Sequence, residues 1–228
     1  MKTGLVAAAL LGLLTFGRAA EPPKLAAEKF HDDAKSLVRL TFDTPAAETT
    51  PKEFDYQLAK AAKLTWKTGS FSQAVSRPFV LQARGSDPSE DDWSYAFFQG
   101  HTPRDAEIAV SFMVVEPDQK FAAALVWRHV SDGDGYRLEA NSDNDQLRLV
   151  RTKKGKQKVI DVKDVIITPN RWHKLRVIFL AQTYTVYLND DMVMAGRDKK
   201  ILDAGRAGIA SAGHGLVYFD DVELRGMP

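Results

Sequence analysis

The stretch HKLRVIFLAQTYTVYLNDDMV, His173 to Val193, decides how the chain folds. Its β-branched and aromatic residues form two runs of strand length, His173 to Leu180 and Thr183 to Leu188. Asn189-Asp190 suits a tight connection to a further strand at Met192, because these residues tolerate the backbone angles of hairpin turns.

The same pattern extends outward. Glu107 to Val115, Phe121 to Val130, Tyr136 to Asn141, Gln146 to Thr152, Gln157 to Val162 and Leu216 to Leu224 all read as strands. Gly155, within Lys153-Lys154-Gly155-Lys156, supplies a residue able to take positive φ between two of them. Upstream, Leu64 to Trp66, Phe79 to Ala83 and Tyr95 to Phe98 are short apolar or alternating runs separated by Gly, Ser, Pro and Asp. Leu37 to Phe42 alternates and stops at Asp43-Thr44-Pro45. Glu53 to Lys63 stays divided: Phe54, Tyr56 and Leu58 favour a strand, Ala59, Ala61 and Ala62 a helix. Many short strands with turn chemistry between them predict an all-β sandwich or jelly roll.

Composition narrows the class further. The first twenty residues place Lys2 before the apolar run Leu5 to Phe16 and end in small residues, the layout of a cleaved secretory signal. Residues 1–20 are therefore expected to be a signal peptide, 21–36 an N-terminal arm or short helix, and 37–228 one β domain. The expected location is secreted or periplasmic. No later segment reaches the roughly 18 consecutive apolar residues of a membrane helix. Loss of Lys2 and Arg18 turns the net charge from +1 to −1, which gives no reason to expect a nucleic-acid partner. The chain has no cysteine, which excludes disulfides and thiolate zinc sites.

Three segments carry a resemblance: LVWRHVSDGDGYRLEANSDNDQLRLVRTKKGKQ from Leu125, RWHKLRVIFLAQTYTVYLNDDMV from Arg171, and DAGRAGIASAGHGLVYFDDVEL from Asp203. In order and spacing they resemble the concanavalin A-like lectin/glucanase superfamily, in particular its laminin-G-like and 3-keto-disaccharide hydrolase-like domains. The resemblance covers residues 106 to 225, with Leu37 to Phe42 as the opening strand. It implies a jelly roll of two curved antiparallel sheets, with glycans bound on the concave face or at the rim. It also implies that the first and last strands lie side by side. The carboxylates of Asp220 and Asp221, adjacent in an otherwise apolar strand, then fall at a bend or bulge. One is exposed, and the other is hydrogen-bonded or, with Asp43, holds a structural calcium ion.

Laminarinase-type members use an alternating Glu-x-Asp-x-Glu strand, which sets nucleophile and acid on one face. Here the nearest approach is Glu107-Ile108-Ala109-Val110-Ser111, which lacks two of the three acids. No Gly-x-Ser-x-Gly elbow, His-Glu-x-x-His motif or phosphate loop is present, so no catalytic residue is assigned. Asp132-Gly133-Asp134-Gly135 and Asn141 to Asp145 read as turns whose side chains bond their own backbone. The basic hairpin from Arg148 to Lys163 reads as a solvated edge protected by lysines, or as a contact for anionic polysaccharide.

Sugar binding needs an aromatic platform bordered by polar side chains, and the candidates are Trp93 and Tyr95, Trp127-Arg128, and Tyr136-Arg137. In the family pattern an arginine follows Leu-Val-Trp and a tyrosine opens the next strand, which selects Arg128 and Tyr136. Strand alternation sends Trp127 and Arg128 to opposite faces, so an Arg128 in the groove makes Trp127 core. Trp66 and Trp172 are expected in the core. The expected binding set is Arg128, Tyr136, Glu139 and Trp93, in an exported, non-catalytic, carbohydrate-binding module. Two alternatives stay open: a glycoside or keto-disaccharide hydrolase using Asp132, Asp134 or His129 with a metal, and a structural interaction domain of the cell envelope.

Overall fold

The computed structural model describes residues 37–43, 48–58, 64–86, 92–115, 121–130 and 133–227. The expected signal peptide and arm, the helical alternative at Ala59 to Ala62, and Asp132 lie outside them. The described residues form strands without a helix, so none of them makes a helix long and apolar enough to cross a membrane.

The strands run in chain order as follows. The first five are β1 (Leu37–Leu40), β2 (Phe54–Gln57), β3 (Thr65–Ser70), β4 (Phe79–Ser86) and β5 (Ser94–Phe98). Then come β6 (Ala106–Val114), β7 (Phe121–His129), β8 (Gly135–Asn141), β9 (Gln146–Lys153) and β10 (Lys156–Asp164). The last four are β11 (His173–Leu180), β12 (Thr183–Leu188), β13 (Asp191–Arg197) and β14 (Arg206–Gly226). All their pairings are antiparallel.

Strand β14 belongs to two sheets. Its first part, up to Gly213, lies between β5 and β7 in a sheet ordered β2-β5-β14-β7-β8-β9-β10. Its second part, from His214, lies between β4, later β1, on one edge and β6 on the other. That second sheet continues through β11 and β12 to β13. Gly213 and Gly215, with φ of 100° and 142°, turn the chain from one sheet into the other.

Alternation drives the sandwich. Leu125, Trp127, Leu138, Leu149 and Ile209 of the first sheet pack against residues such as Phe112, Val177, Phe179 and Phe219 of the second in one continuous core. Trp127 is its central ring, stacked on Tyr136 at 5.4 Å and on Phe179 at 5.6 Å. Trp66 is buried as expected. Trp172 is not: it is half-buried beside Phe71, and its Nε1–H donates to the carbonyl of Gln73 at 2.7 Å.

Two hairpin turns form as their residues predict, with φ of 52° and 69° at Lys154-Gly155 and of 52° and 67° at Asn189-Asp190. The first part of β14 is different. Arg206-Ala207-Gly208-Ile209-Ala210-Ser211-Ala212-Gly213 is too rich in Gly and Ala to stand out as a strand. Packing explains the composition, since a Cβ added at Gly208 would lie 2.1 Å from the carbonyl oxygen of Ala96.

The paired carboxylates sit at a bulge of β14 against β6, where Asp221 has a φ of 45°. β1 does run beside this strand, with Leu40 opposite Val222. Asp221 accepts from Arg39 Nη2 at 2.9 Å. Asp220 is fully buried and accepts from Ser76 N, Ser76 Oγ and Asp221 N, each at 2.8 Å. Both of its oxygens thus face donors, which is the wrong environment for a cation. Among the described residues no group of three or more acids or histidines is placed to hold a metal. Asp43, Asp220 and Asp221, expected as a calcium set, do not form such a group, and Asp220 is satisfied by N–H and O–H groups. Burial, against those donors, pushes its carboxyl up to about 6. Ser76 Oγ also lies 3.1 Å from the Thr41 carbonyl. A hydroxyl has one proton, so Ser76 serves Thr41 and Asp220 together only when Asp220 carries the proton and donates it to Ser76.

Two outcomes follow from this packing. Gly208→Ala should lower the unfolding free energy by about 1 to 3 kcal/mol or more, measured by urea denaturation, because backbone cannot yield as a side chain does. For Asp220 the folded-state value lies above the unfolded one, so its contribution is present at low pH and is lost as pH rises from about 4 to 6. Relative to Asp220→Asn, the wild-type chain should gain on the order of 2 to 3 kcal/mol between pH 7 and pH 4. Parallel stability curves for the two proteins would contradict this.

Candidate functional site

The face of the first sheet turned away from the core is built in cross-strand rows. One row runs Gln57, Tyr95, Ala210, Ala124, Glu139, Arg148, and the next runs Asp55, Phe97, Gly208, Val126, Arg137, Val150. Over most of their length its two middle strands, β14 and β7, show Ala122, Ala124, Val126, Gly208, Ala210 and Ala212, which make a low floor. Trp93, Tyr95 and Phe97 border the floor on one side, at a spacing of two that sends all three outward. Arg137 and Glu139 border it on the other for the same reason.

Arg137 reaches across. Its guanidinium lies 4.2 Å from the centre of the Trp93 ring, and Nη1 donates to the Tyr95 hydroxyl at 3.4 Å. Nε and Nη2 both donate to Glu139 Oε1, at 2.9 and 2.7 Å. The other Glu139 oxygen lies 3.7 Å from Arg148 Nε. The pair is almost entirely buried.

The aromatic border continues past the floor. Tyr95 and Phe97 stack at 5.4 Å, and the His129 ring lies against both, at 5.0 and 4.8 Å. Arg206 sits 4.0 Å above Phe97 and donates to Gln57 Oε1 at 2.8 Å. Burial, reinforced by Arg206 and Arg137, pushes His129 down to about 4. Its imidazole is neutral at pH 7, and Nε2 is buried without a hydrogen-bond partner.

Of the four expected binding residues, Trp93 and Glu139 share this face. Arg128 and Tyr136 do not lie on it. Arg128 has a φ of 51° and is the extra residue of a bulge between β7 and β14. The bulge passes the outward place to His129, which pairs with Arg206, and aims Arg128 into the end of the sandwich. There Nε donates to the carbonyl of Arg104, Nη1 to that of Ile201 and Nη2 to that of Ala181, at 2.7 to 2.9 Å. Nη2 also pairs with Asp105 at 2.9 Å. Tyr136 faces inward, donates to Asp198 at 3.0 Å and accepts from Ile201 N at 3.3 Å.

Tyr95 and Arg137 were readable candidates, through the same spacing of two that links Trp93 to Tyr95 and Arg137 to Glu139. Phe97 shares that spacing, two positions past Tyr95. His129 and Arg206 carried no such signal. The first depends on the bulge, and the second lies in the Gly/Ala run that does not resemble a strand.

Solved structures of similar shape share this architecture. The carbohydrate binding module CBM66 from Bacillus subtilis superposes with a TM-score of 0.59 at 18% identity, over 75% of this chain and 96% of that one. The fold is a concanavalin A-like jelly roll. The carbohydrate recognition domain of Emp47p matches this chain with a TM-score of 0.55 at 12% identity, over 86% and 99% of the two chains. The Crh5 transglycosylase does so with a TM-score of 0.57 at 10% identity, over 86% of each. No protein-family model and no curated protein sequence matches the chain.

Because Arg128 joins four groups at the end of the core, Arg128→Met should cost about 3 to 5 kcal/mol by taking this donor from three carbonyls and the countercharge from Asp105, which keeps only the Ala181 N–H. Thermal and urea unfolding check this.

Proposed function

We propose that the chain is an exported, non-catalytic carbohydrate-binding module whose site is the outer face of the β2-β5-β14-β7-β8-β9-β10 sheet. The observation that carries the reading is the row Trp93, Tyr95, Phe97 facing Arg137 and Glu139 across a floor of alanine and glycine. A pyranose has an apolar C–H face and an edge of hydroxyls, and aromatic rings beside a guanidinium–carboxylate pair complement both. Trp93 and Glu139 then belong to the binding set, with Tyr95, Arg137 and His129. Arg128 and Tyr136 hold β7 and β8 in place from the core side.

Two of the structural neighbours are named for carbohydrate binding or recognition. Another is a transglycosylase, so the shared fold does not choose between binding and catalysis. The chemistry of the face favours binding. In the two rows that cross the floor the acids are Asp55 on β2 and Glu139 on β8, with β5, β14 and β7 between them, and Glu139 is tied to Arg137 by two hydrogen bonds. A retaining hydrolase needs two carboxyl groups about 5 Å apart, one of them able to carry a proton.

The test is a glycan array with the purified chain, followed by titration calorimetry on any sugar bound. Trp93→Ala and Glu139→Gln should each weaken binding at least about tenfold, the loss of one stacking or charged contact. A wild-type chain that binds no glycan would remove the reading.

A further inference from the structure

The charge on this face narrows the ligand. Three guanidinium groups gather there: Arg137 over Trp93, Arg206 over Phe97, and Arg148 beside Glu139. Two of the acids near them, Glu139 and Asp134, are already engaged, and a third, Asp55, stands exposed on the same row as Phe97. Glu139 Oε1 takes two N–H groups of Arg137. Asp134 accepts from the backbone N–H of Lys154, and Asp55, opposite Phe97, is exposed to solvent.

Arg206 carries five N–H donors and uses one, on Gln57. Its contact with Phe97 holds the cation without neutralising it. Arg148 has no acid closer than 3.7 Å. His129, only 5% exposed, stands against Tyr95 and Phe97 within the fields of both Arg206 and Arg137. A buried ring nitrogen without a partner is an unfavourable arrangement that a ligand hydroxyl relieves.

We infer that the face recognises an acidic carbohydrate: the carboxylate of a uronate residue lies against Arg206 and Arg137 above the Tyr95–Phe97 pair, and His129 Nε2 meets a neighbouring hydroxyl. This rests on the carbohydrate-binding reading and adds the charge of the sugar to it. A planar carboxylate matches the fork of a guanidinium, whereas a neutral sugar would leave most of the Arg206 donors to water. A neutral imidazole between two guanidiniums adds no further repulsion and keeps a nitrogen for the hydroxyl.

The experiment is titration calorimetry with gluco-, galacto- and manno-uronate oligomers, each against the neutral oligosaccharide of the same length, at low and high ionic strength. At least one uronate should bind about tenfold or more tighter than its neutral counterpart at low salt, with the difference shrinking at high salt. Arg206→Gln should reduce that preference several-fold, and Arg206→Lys by less, since it keeps the charge and loses the fork. Arg148→Gln, which among the described residues loses one partly exposed ion pair to Glu139 and no hydrogen bond, should reduce it with little change in melting temperature. Equal affinity for charged and neutral sugars overturns the acidic-ligand inference and leaves carbohydrate binding standing, as does a preference unchanged in both Gln variants. A chain that binds neither set and no glycan on the array overturns both.

Discussion

Strand β14 is hydrogen-bonded on both edges for much of its length, first to β5 and β7 and then to β4 or β1 and β6. The rest of the molecule depends on this confinement. A strand shared by two sheets ties them without a crossover and places the end of the chain beside its first described strand. Confinement also restricts side chains. Where β5 and β7 close in, only hydrogen fits at position 208, and Ala210 and Ala212 point outward beside it. The small residues that let the sandwich close therefore leave a shallow floor on its outer face. Larger side chains from β5 and β8 lean over that floor, and the candidate site is the place where they meet.

The molecule handles buried charge by a recurring device. Arg128 and Asp220 lie at bulges, one with a left-handed φ of its own and the other next to Asp221, which has one. An extra residue breaks the alternation and aims a polar side chain away from both sheet faces, toward loop groups that can satisfy it. Arg128 finds three carbonyls and Asp105, and Asp220 finds Ser76. The bulge at Arg128 has a second effect, because it delivers His129 to the outer face among Tyr95, Phe97 and Arg206. One irregularity both anchors the end of the core and adds a polar atom to the site.

Much of the architecture was legible because strand periodicity is local. Lys154-Gly155 and Asn189-Asp190 form the turns their backbone tolerance suggests, and β11 and β12 occupy the runs read for them. Trp93 and Glu139 reach the outer face by counting in twos from their neighbours. Arg128 defeated the same count, since a bulge is set by how two strands pair and leaves no mark in the pattern of one. The Arg206–Gly213 part of β14 was missed for a related reason. Its Gly and Ala residues have low strand preference, and they are there because of what packs beside them.

By itself the sequence determined an all-β chain, most of its strands and two of its hairpin turns, because each depends on neighbours a few positions away. Only the tertiary structure decided the bulges, the sharing of β14 between two sheets, the protonation environment of Asp220 and the meeting of Arg137 with Trp93. Those depend on groups brought together from distant parts of the chain. Burial, charge and available space at such meetings are properties of the packed molecule, and no single segment carries them.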